Sequence, residues 1–447
     1  MKKVLVAFVV ILMAAAISGC KKENNGSAVY NPSSYSNKIV LSNLQTSSDS
    51  IVLRWSKLSN NRFYLYLVIR RDYKAADPSI FSNSDIIQEI YDPSVVKFVD
   101  HNVPLAPYLE YEIIGVLVDS ITSNYSFIYS NIVTYQRSSI KTFYFNPTDV
   151  VPDIPNHRFY VIEADSGKIS LVNYTNASIV KSIKTNSTNG FCDLGTYNGV
   201  RELYVPRNDG WVFIYDAETL DKIDQINAGT SCGSVIFNNG KLFIFGSSDY
   251  YYNDMYVIDR ATKSVITTIN SIDYMRPKMI PGSNTKLFGV SSSYSSSGDI
   301  YYFEFDANGN KIVQNYNYSS NPTDFHAFEV FPDGQHFITS SYGAIYASDL
   351  SYVLQLPYGD YEFSGFAFDA TSSQVLAGCR NYKNIVAYAI PGYTELKTYS
   401  TLGYPAFIFN DNNTLISLSS TTSFSSYSYG RDFIIEKVPL SKQAFRP

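Results

Sequence analysis

Apolar and polar residues alternate in short runs along most of the chain. Ile51, Leu53 and Trp55 take turns with Val52 and Arg54, a period of two that places one set on the buried face of a strand. Arg62 to Arg71, Tyr111 to Val118 and Ser130 to Tyr135 continue the pattern, so residues 38–136 predict a sandwich of about seven short strands. From Lys141 onward the strands recur as a unit. "WVFIYDAETLDKIDQI", "DMYVIDRATKSVITTI", "IYYFEFDANGNKIVQNY" and "GAIYASDLSYVLQL" each run an apolar strand into an acidic turn and a second strand. The turn residues Asp216, Asp259, Asp306 and Asp349 lie 43, 47 and 43 positions apart. Weaker copies before and after this series bring the count to seven. A carboxylate that follows a strand caps a turn by accepting a backbone N–H two residues on, so these acids are structural.

Another strand pair precedes each of these hairpins, as in "SVIFNNGKLFIFG" and "FEVFPDGQHFITS", where Asn239-Gly240 and Asp333-Gly334 suit tight turns. Four strands per forty-odd residues is the periodicity of a propeller blade. The tetrapeptide Asn-Pro-Thr-Asp occurs at 146–149 and again at 321–324, 175 positions apart, or about four units. Both copies are expected where the outer strand of one unit hands over to the inner strand of the next, proline ending the first strand. The last unit runs out of chain near Leu440, while Lys141 to Phe145 stands before the first unit as an unassigned strand. Pairing the two would close the ring and remove its open edge. A linker from Gln136 to Ile140 separates that strand from the sandwich. The fold class is all-β, with the sandwich at 38–136 and a seven-bladed β-propeller at 141–447.

Two family resemblances sharpen this picture. Trp55 in "IVLRWS", Leu105, Pro107 and Tyr111 in "LAPYLEY", and the closing "SNIVTY" resemble a fibronectin type III domain, although Leu109 stands in the place of its threonine. The resemblance implies a tyrosine corner, in which the Tyr111 hydroxyl ties to an upstream backbone group. Met255 to Ile269, "MYVIDRATKSVITTI", is similar to the YVTN-type seven-bladed propellers; the sixth copy departs from that pattern with Ala389 at the turn acid. Neither family by itself implies an activity.

The first twenty residues have a basic start at Lys2 and Lys3, an apolar stretch from Val4 to Ile17, and Ser18-Gly19-Cys20. This is the layout of a secretory signal, and its ending resembles the bacterial lipobox, which implies acylation of Cys20. Residues 21–37 then read as a flexible tether. The predicted address is the cell envelope, lipid-anchored and on the outer membrane, with palmitate among the anchoring chains. The Asn-, Tyr- and Ser-rich composition, with 39 tyrosines, is similar to that of Bacteroidetes envelope lipoproteins. That resemblance implies a binding or scaffold role, with a glycan or an envelope protein as partner. A propeller enzyme of the lactonase or lyase kind is the alternative.

A net charge of −5 without basic runs excludes nucleic acid as a partner. Cys192, Cys232 and Cys379 form no CxxC pair, and His101, His157, His326 and His336 are scattered, so no metal and no cofactor is expected. Cys192 and Cys232 sit at similar places in neighbouring units; a disulfide between them is open in an oxidising compartment, but inner strands diverge and the distance limit is demanding, so buried thiols are the expectation.

Propeller ligands bind where loops lead into the inner strands, at the mouth of the central channel. That position, taken unit by unit, gives Asp149, Asn189, Ser231, Arg276, Asp324, Tyr361 and Tyr404, with His326 and Lys278 just inside. Asp149 and Asp324, with Arg276 between them, are expected to converge on a polar ligand. The tyrosine-rich stretches "SSDYYYNDMY" and "TSFSSYSYG" offer a competing site on the rim.

Overall fold

The computed structural model describes residues 38–46, 50–73, 81–101, 103–106, 108–136, 141–247, 253–291, 298–318, 323–424 and 432–440. The expected signal, Cys20 and the tether lie outside these residues, as do Pro107, Tyr250 to Tyr252, Asn321, Pro322 and most of "TSFSSYSYG". The described chain is all-β, with one short 3₁₀ turn at Ile154–Asn156.

Eight strands form two sheets at the N-terminal end. Gln45–Thr46, Ile51–Arg54 and Lys97–Asp100 make a three-stranded sheet. Phe81–Ile90, Phe63–Tyr73, Tyr108–Val118 and Tyr125–Tyr129 make the other, with Val133–Gln136 also paired to Tyr108–Val118. The strand expected from Ser130 begins later because the Ser130 hydroxyl accepts the Ile113 N–H at 2.9 Å and takes the place of a ladder bond. Ile51, Leu53 and Trp55 face Tyr66, Val68, Leu109, Tyr111 and Ile113 across one core, and the Trp55 and Tyr66 rings meet edge-on at 5.6 Å. The tie expected of Tyr111 runs to a side chain, its hydroxyl donating to Asp100 Oδ2 at 2.8 Å.

Seven four-stranded antiparallel sheets follow. Their innermost strands are Asp149–Asp153, Asp193–Tyr197, Cys232–Asn238, Met275–Met279, Phe328–Val330, Phe363–Phe368 and Tyr404–Asp411. Each apolar core is shared by two successive sheets. Tyr160 and Ile162 of the first meet Leu203 and Val205 of the second, and Ala367 and Leu376 of the sixth meet Ile408 and Leu415 of the seventh. The last core joins Ala406, Ile416 and Leu418 of the seventh sheet to Phe159 and Val161 of the first. The sheets therefore follow one another round a ring in a propeller-like arrangement.

Closure of the ring is two-stranded in origin. Thr142–Tyr144 pairs with Asp432–Pro439 as the outer strand of the seventh sheet, in the register Asp432 to Tyr144 and Phe433 to Phe143. Phe143 and Phe145 are buried there and stack at 5.6 Å, each contributing about 1.5–3 kcal/mol by the area removed from water.

The turn chemistry is local. Oδ1 of Asp216, Asp259 and Asp306 each accepts two backbone N–H groups at 2.8–3.0 Å, and Asp349 accepts the Ser351 N–H at 3.0 Å. Asn239 and Gly240 both take positive φ, 46° and 72°, as a tight hairpin requires. At Asp333-Gly334 the turn differs, with positive φ at Gly334 and the Asp333 carboxylate accepting the Gln335 N–H.

The two Asn-Pro-Thr-Asp segments are not equivalent. Asp149 opens its inner strand, paired with Ile162. Asp324 stops short of a strand that begins at Phe328, because its Oδ1 accepts the His326 N–H at 2.9 Å and turns the chain first.

Candidate functional site

The inner strands enclose an axial cavity of about 360 Å³, near the small end of ligand pockets. All seven sheets contribute to its wall. Asp149, Arg276, Lys278 and His326 line it, as expected, together with Asp193 and Glu329. Asn189, Ser231, Asp324, Tyr361 and Tyr404 do not.

Each of those five is held elsewhere by its own contacts. Asn189 is buried and accepts the Thr185 hydroxyl at 2.8 Å. The Ser231 hydroxyl bonds that of Ser247. Asp324 receives Arg380 Nη2 at 3.2 Å. The Tyr361 ring meets Tyr382 at 5.4 Å, and Lys383 stands over the Tyr404 ring at 5.6 Å. Asn189, Ser231, Asp324 and Tyr361 stand ahead of the strands that reach the axis, and Tyr404 opens its own, so a loop position counted by repeat length falls short of the wall.

Asp149 is the deepest charge. It is fully buried, and Oδ1 accepts both its neighbour's N–H (Val150, 2.9 Å) and Arg276 Nη2 (2.5 Å), while Oδ2 accepts the Cys192 N–H at 3.2 Å. The Arg276 guanidinium in turn lies 4.6 Å from the centre of the Phe191 ring, a cation–π contact. Phe191 reaches this place because two glycines let neighbouring chains touch. The Phe191 N–H donates to Gly233 O at 2.9 Å, and a Cβ on Gly190 would stand 1.9 Å from that same oxygen. Phe191, Phe325 and His326 pack edge-on around one end of the cavity, with centroids 4.6–5.6 Å apart.

Two residues along the same strand, and so on the same face, Lys278 donates to Glu329 Oε2 at 2.5 Å. Its side chain keeps 25% of its surface exposed, yet the surrounding wall pushes the ammonium pKa down, with Glu329 opposing and Arg276 reinforcing. Asp193 accepts the Phe237 N–H at 2.8 Å. Burial, with the nearby Asp149 charge, still pushes its carboxyl up to about 7. Burial pushes the His326 imidazole down to about 4, so it is neutral at physiological pH.

Repeat counting missed Asp193 and Glu329. Asp193 is the first residue of its inner strand, as Asp149 is; aligning strand starts rather than tetrapeptides would have found it. Among the described residues no group of three or more His, Cys, Asp or Glu is placed to hold a metal ion. Cys192, Cys232 and Cys379 are free thiols, and burial pushes Cys232 up to about 12.

No family model and no curated protein matches the chain. Among solved structures, hydrazine synthase of Kuenenia stuttgartiensis is similar at 13% identity and a TM-score of 0.52, over 69% of this chain and 99% of that chain. At that identity the likeness speaks for the fold alone. Its breadth, 1305 matching chains, says the same: an architecture shared so widely assigns no single chemistry.

Proposed function

We propose that the chain is a lipid-anchored, non-catalytic binding or scaffold protein of a bacterial envelope, with a glycan or an envelope protein held at the axial cavity. In this reading Cys20 is the acylated residue, residues 21–37 are the tether, and a fibronectin type III-like sandwich carries a YVTN-type seven-bladed propeller away from the outer membrane. The sandwich is supported by the three-stranded and five-stranded sheets around Trp55 and Tyr111. The propeller is supported by seven four-stranded sheets that share cores pairwise and close through Thr142–Tyr144.

The observation that carries the binding role is the cavity itself. Six ionisable side chains from four sheets converge on its wall, two of them paired as Lys278 and Glu329 beside open volume. Such groups are costly to desolvate and are tolerated where a ligand or water meets them. The experiment has two parts. Acyl labelling and fractionation of wild type and Cys20→Ala test the anchor: the variant should lose both label and membrane association, and an unlabelled wild type refutes it. Glycan-array and envelope-protein screening with wild type and Arg276→Ala tests the site. Binding that is lost in the variant supports the axial cavity, and binding indifferent to it moves the site to the rim.

A further inference from the structure

The wall of the axial cavity is divided by chemistry. Its ionisable side chains come from the first, second, fourth and fifth sheets: Asp149, Asp193, Arg276, Lys278, His326 and Glu329. Among the described residues, the sixth and seventh sheets contribute no charged side chain to it: Phe407 is half-buried there, while Phe366, Ile408 and Phe409 border it from within the cores between sheets. A ligand filling the cavity therefore meets polar groups on one side and an uncharged wall on the other.

The charges on the polar side do not cancel. Three carboxylates (Asp149, Asp193, Glu329) face two cations (Arg276, Lys278), and each cation already has its carboxylate: Arg276 with Asp149 at 2.5 Å and Lys278 with Glu329 at 2.5 Å. His326 is kept neutral by its burial. Asp193 is left over, held by the backbone N–H groups of Phe237 and Leu194 and by no paired cation. A carboxylate has about four lone-pair sites, so these bonds leave it able to accept more. Burial, with the Asp149 charge adding to it and Lys278 opposing, raises its affinity for a proton, which is what a carboxylate held in the wall without a directly paired cation shows. The cavity lacks one positive charge, and its other wall, without charged side chains, suits an apolar body.

Resting on the reading that this cavity binds a ligand, we propose that the ligand carries a small organic cation: an amine with an aromatic or aliphatic body, its ammonium against Asp193 and its body against the uncharged side of the wall at Phe407. An anion would meet the surplus carboxylate and is disfavoured. A neutral sugar would leave that carboxylate without its partner.

Titration calorimetry on the full chain in detergent at pH 8, where Asp193 is ionised, tests this with three probes sharing one body: phenethylamine, phenethyl alcohol and phenylacetate. Phenethylamine should bind, with the alcohol roughly ten- to a hundredfold weaker, the ratio expected of one charge-assisted hydrogen bond, and phenylacetate weaker still. Asp193→Asn, which keeps the shape of the side chain, should bring the amine down to the level of the alcohol. The probe series on the wild type needs no variant to fold. Equal binding of amine and alcohol, stronger binding of phenylacetate, or an indifferent Asp193→Asn overturns the proposal. If the amines fail and a neutral oligosaccharide binds in an Arg276-dependent way, the ligand class falls and the axial site stands. If neither amines, glycans nor envelope proteins bind, both fall.

Discussion

The two-sheet region and the ring of seven sheets both bury ion pairs, and the pairs serve different ends. In the first, Arg70 meets Asp100 and Arg71 meets Glu112, with side chains between 4% and 14% exposed. Tyr111 donates to the same Asp100 oxygen as Arg70, so that carboxylate holds two donors among packed side chains. In the second, Arg276 with Asp149 and Lys278 with Glu329 border about 360 Å³ of open volume. The chemistry is alike and the neighbouring space is not. A pair enclosed by side chains can only hold the fold, whereas a pair beside a cavity can trade one partner for a ligand group.

The largest effect should come from separating the two regions. Deleting residues through 140 removes the two-sheet region and leaves a ring that still owns its closing strand. Deleting through Asn146 also removes Phe143 and Phe145, both buried, and core phenylalanines cost about 3–5 kcal/mol each when truncated. The longer deletion should unfold at a much lower temperature or lose its cooperative transition. Equal midpoints for the two would show that Thr142–Tyr144 does not hold the ring shut.

Next in size is the contrast between the pairs themselves. Asp100→Ala takes the close partner from a buried arginine, leaving Asp85 at 4.0 Å, and should cost about 3–5 kcal/mol in denaturant unfolding. Lys278→Met breaks a pair whose members are a quarter to a third exposed, and should cost within about 1 kcal/mol. If the two losses are similar, the cavity pairs are structural after all and the distinction between the regions fails.

The smallest effect is in the pH dependence of the ring. Asp193 holds its proton up to about 7 when folded, against about 4 when unfolded. Its contribution is therefore full below pH 4 and is lost as pH rises through 7. His326 is the mirror case: pushed down to about 4, it contributes fully above its unfolded value of about 6.5 and is lost as pH falls towards 4. The two offset each other over the same window. Thermal midpoints of Asp193→Asn should fall more steeply than wild type as pH drops from 7 to 4. Those of His326→Gln should instead fall as pH rises, each by roughly a few degrees. Parallel curves for all three proteins would mean that neither group is shifted as described.

Much of the fold was legible before any coordinates because it rests on short-range physics. Alternation at Ile51, Leu53 and Trp55 names a buried face, Asx turns at Asp216 and Asp259 need only the next three residues, and Asn239-Gly240 specifies its own hairpin. The recurrence of that unit gave the number of four-stranded sheets, and the stranded segment at Lys141 to Phe145 foretold its partner across the chain. The wall of the cavity was legible only in part. Asp149, Arg276, Lys278 and His326 were named from repeat position, but Asp324 carried the same tetrapeptide as Asp149 and yet stands off the axis. Identity of four residues sets a local turn, and where the strand begins relative to that turn is decided by what pairs with it, Ile162 in one sheet and Thr339 in the other. Asp149 and Arg276 are 127 positions apart, and neither sequence neighbourhood refers to the other. Their contact, the leftover charge on Asp193 and the uncharged wall opposite exist only because seven sheets close on one axis. Hydrogen-bonding propensity and periodicity act over a few residues and are written along the chain; distance across a ring is not.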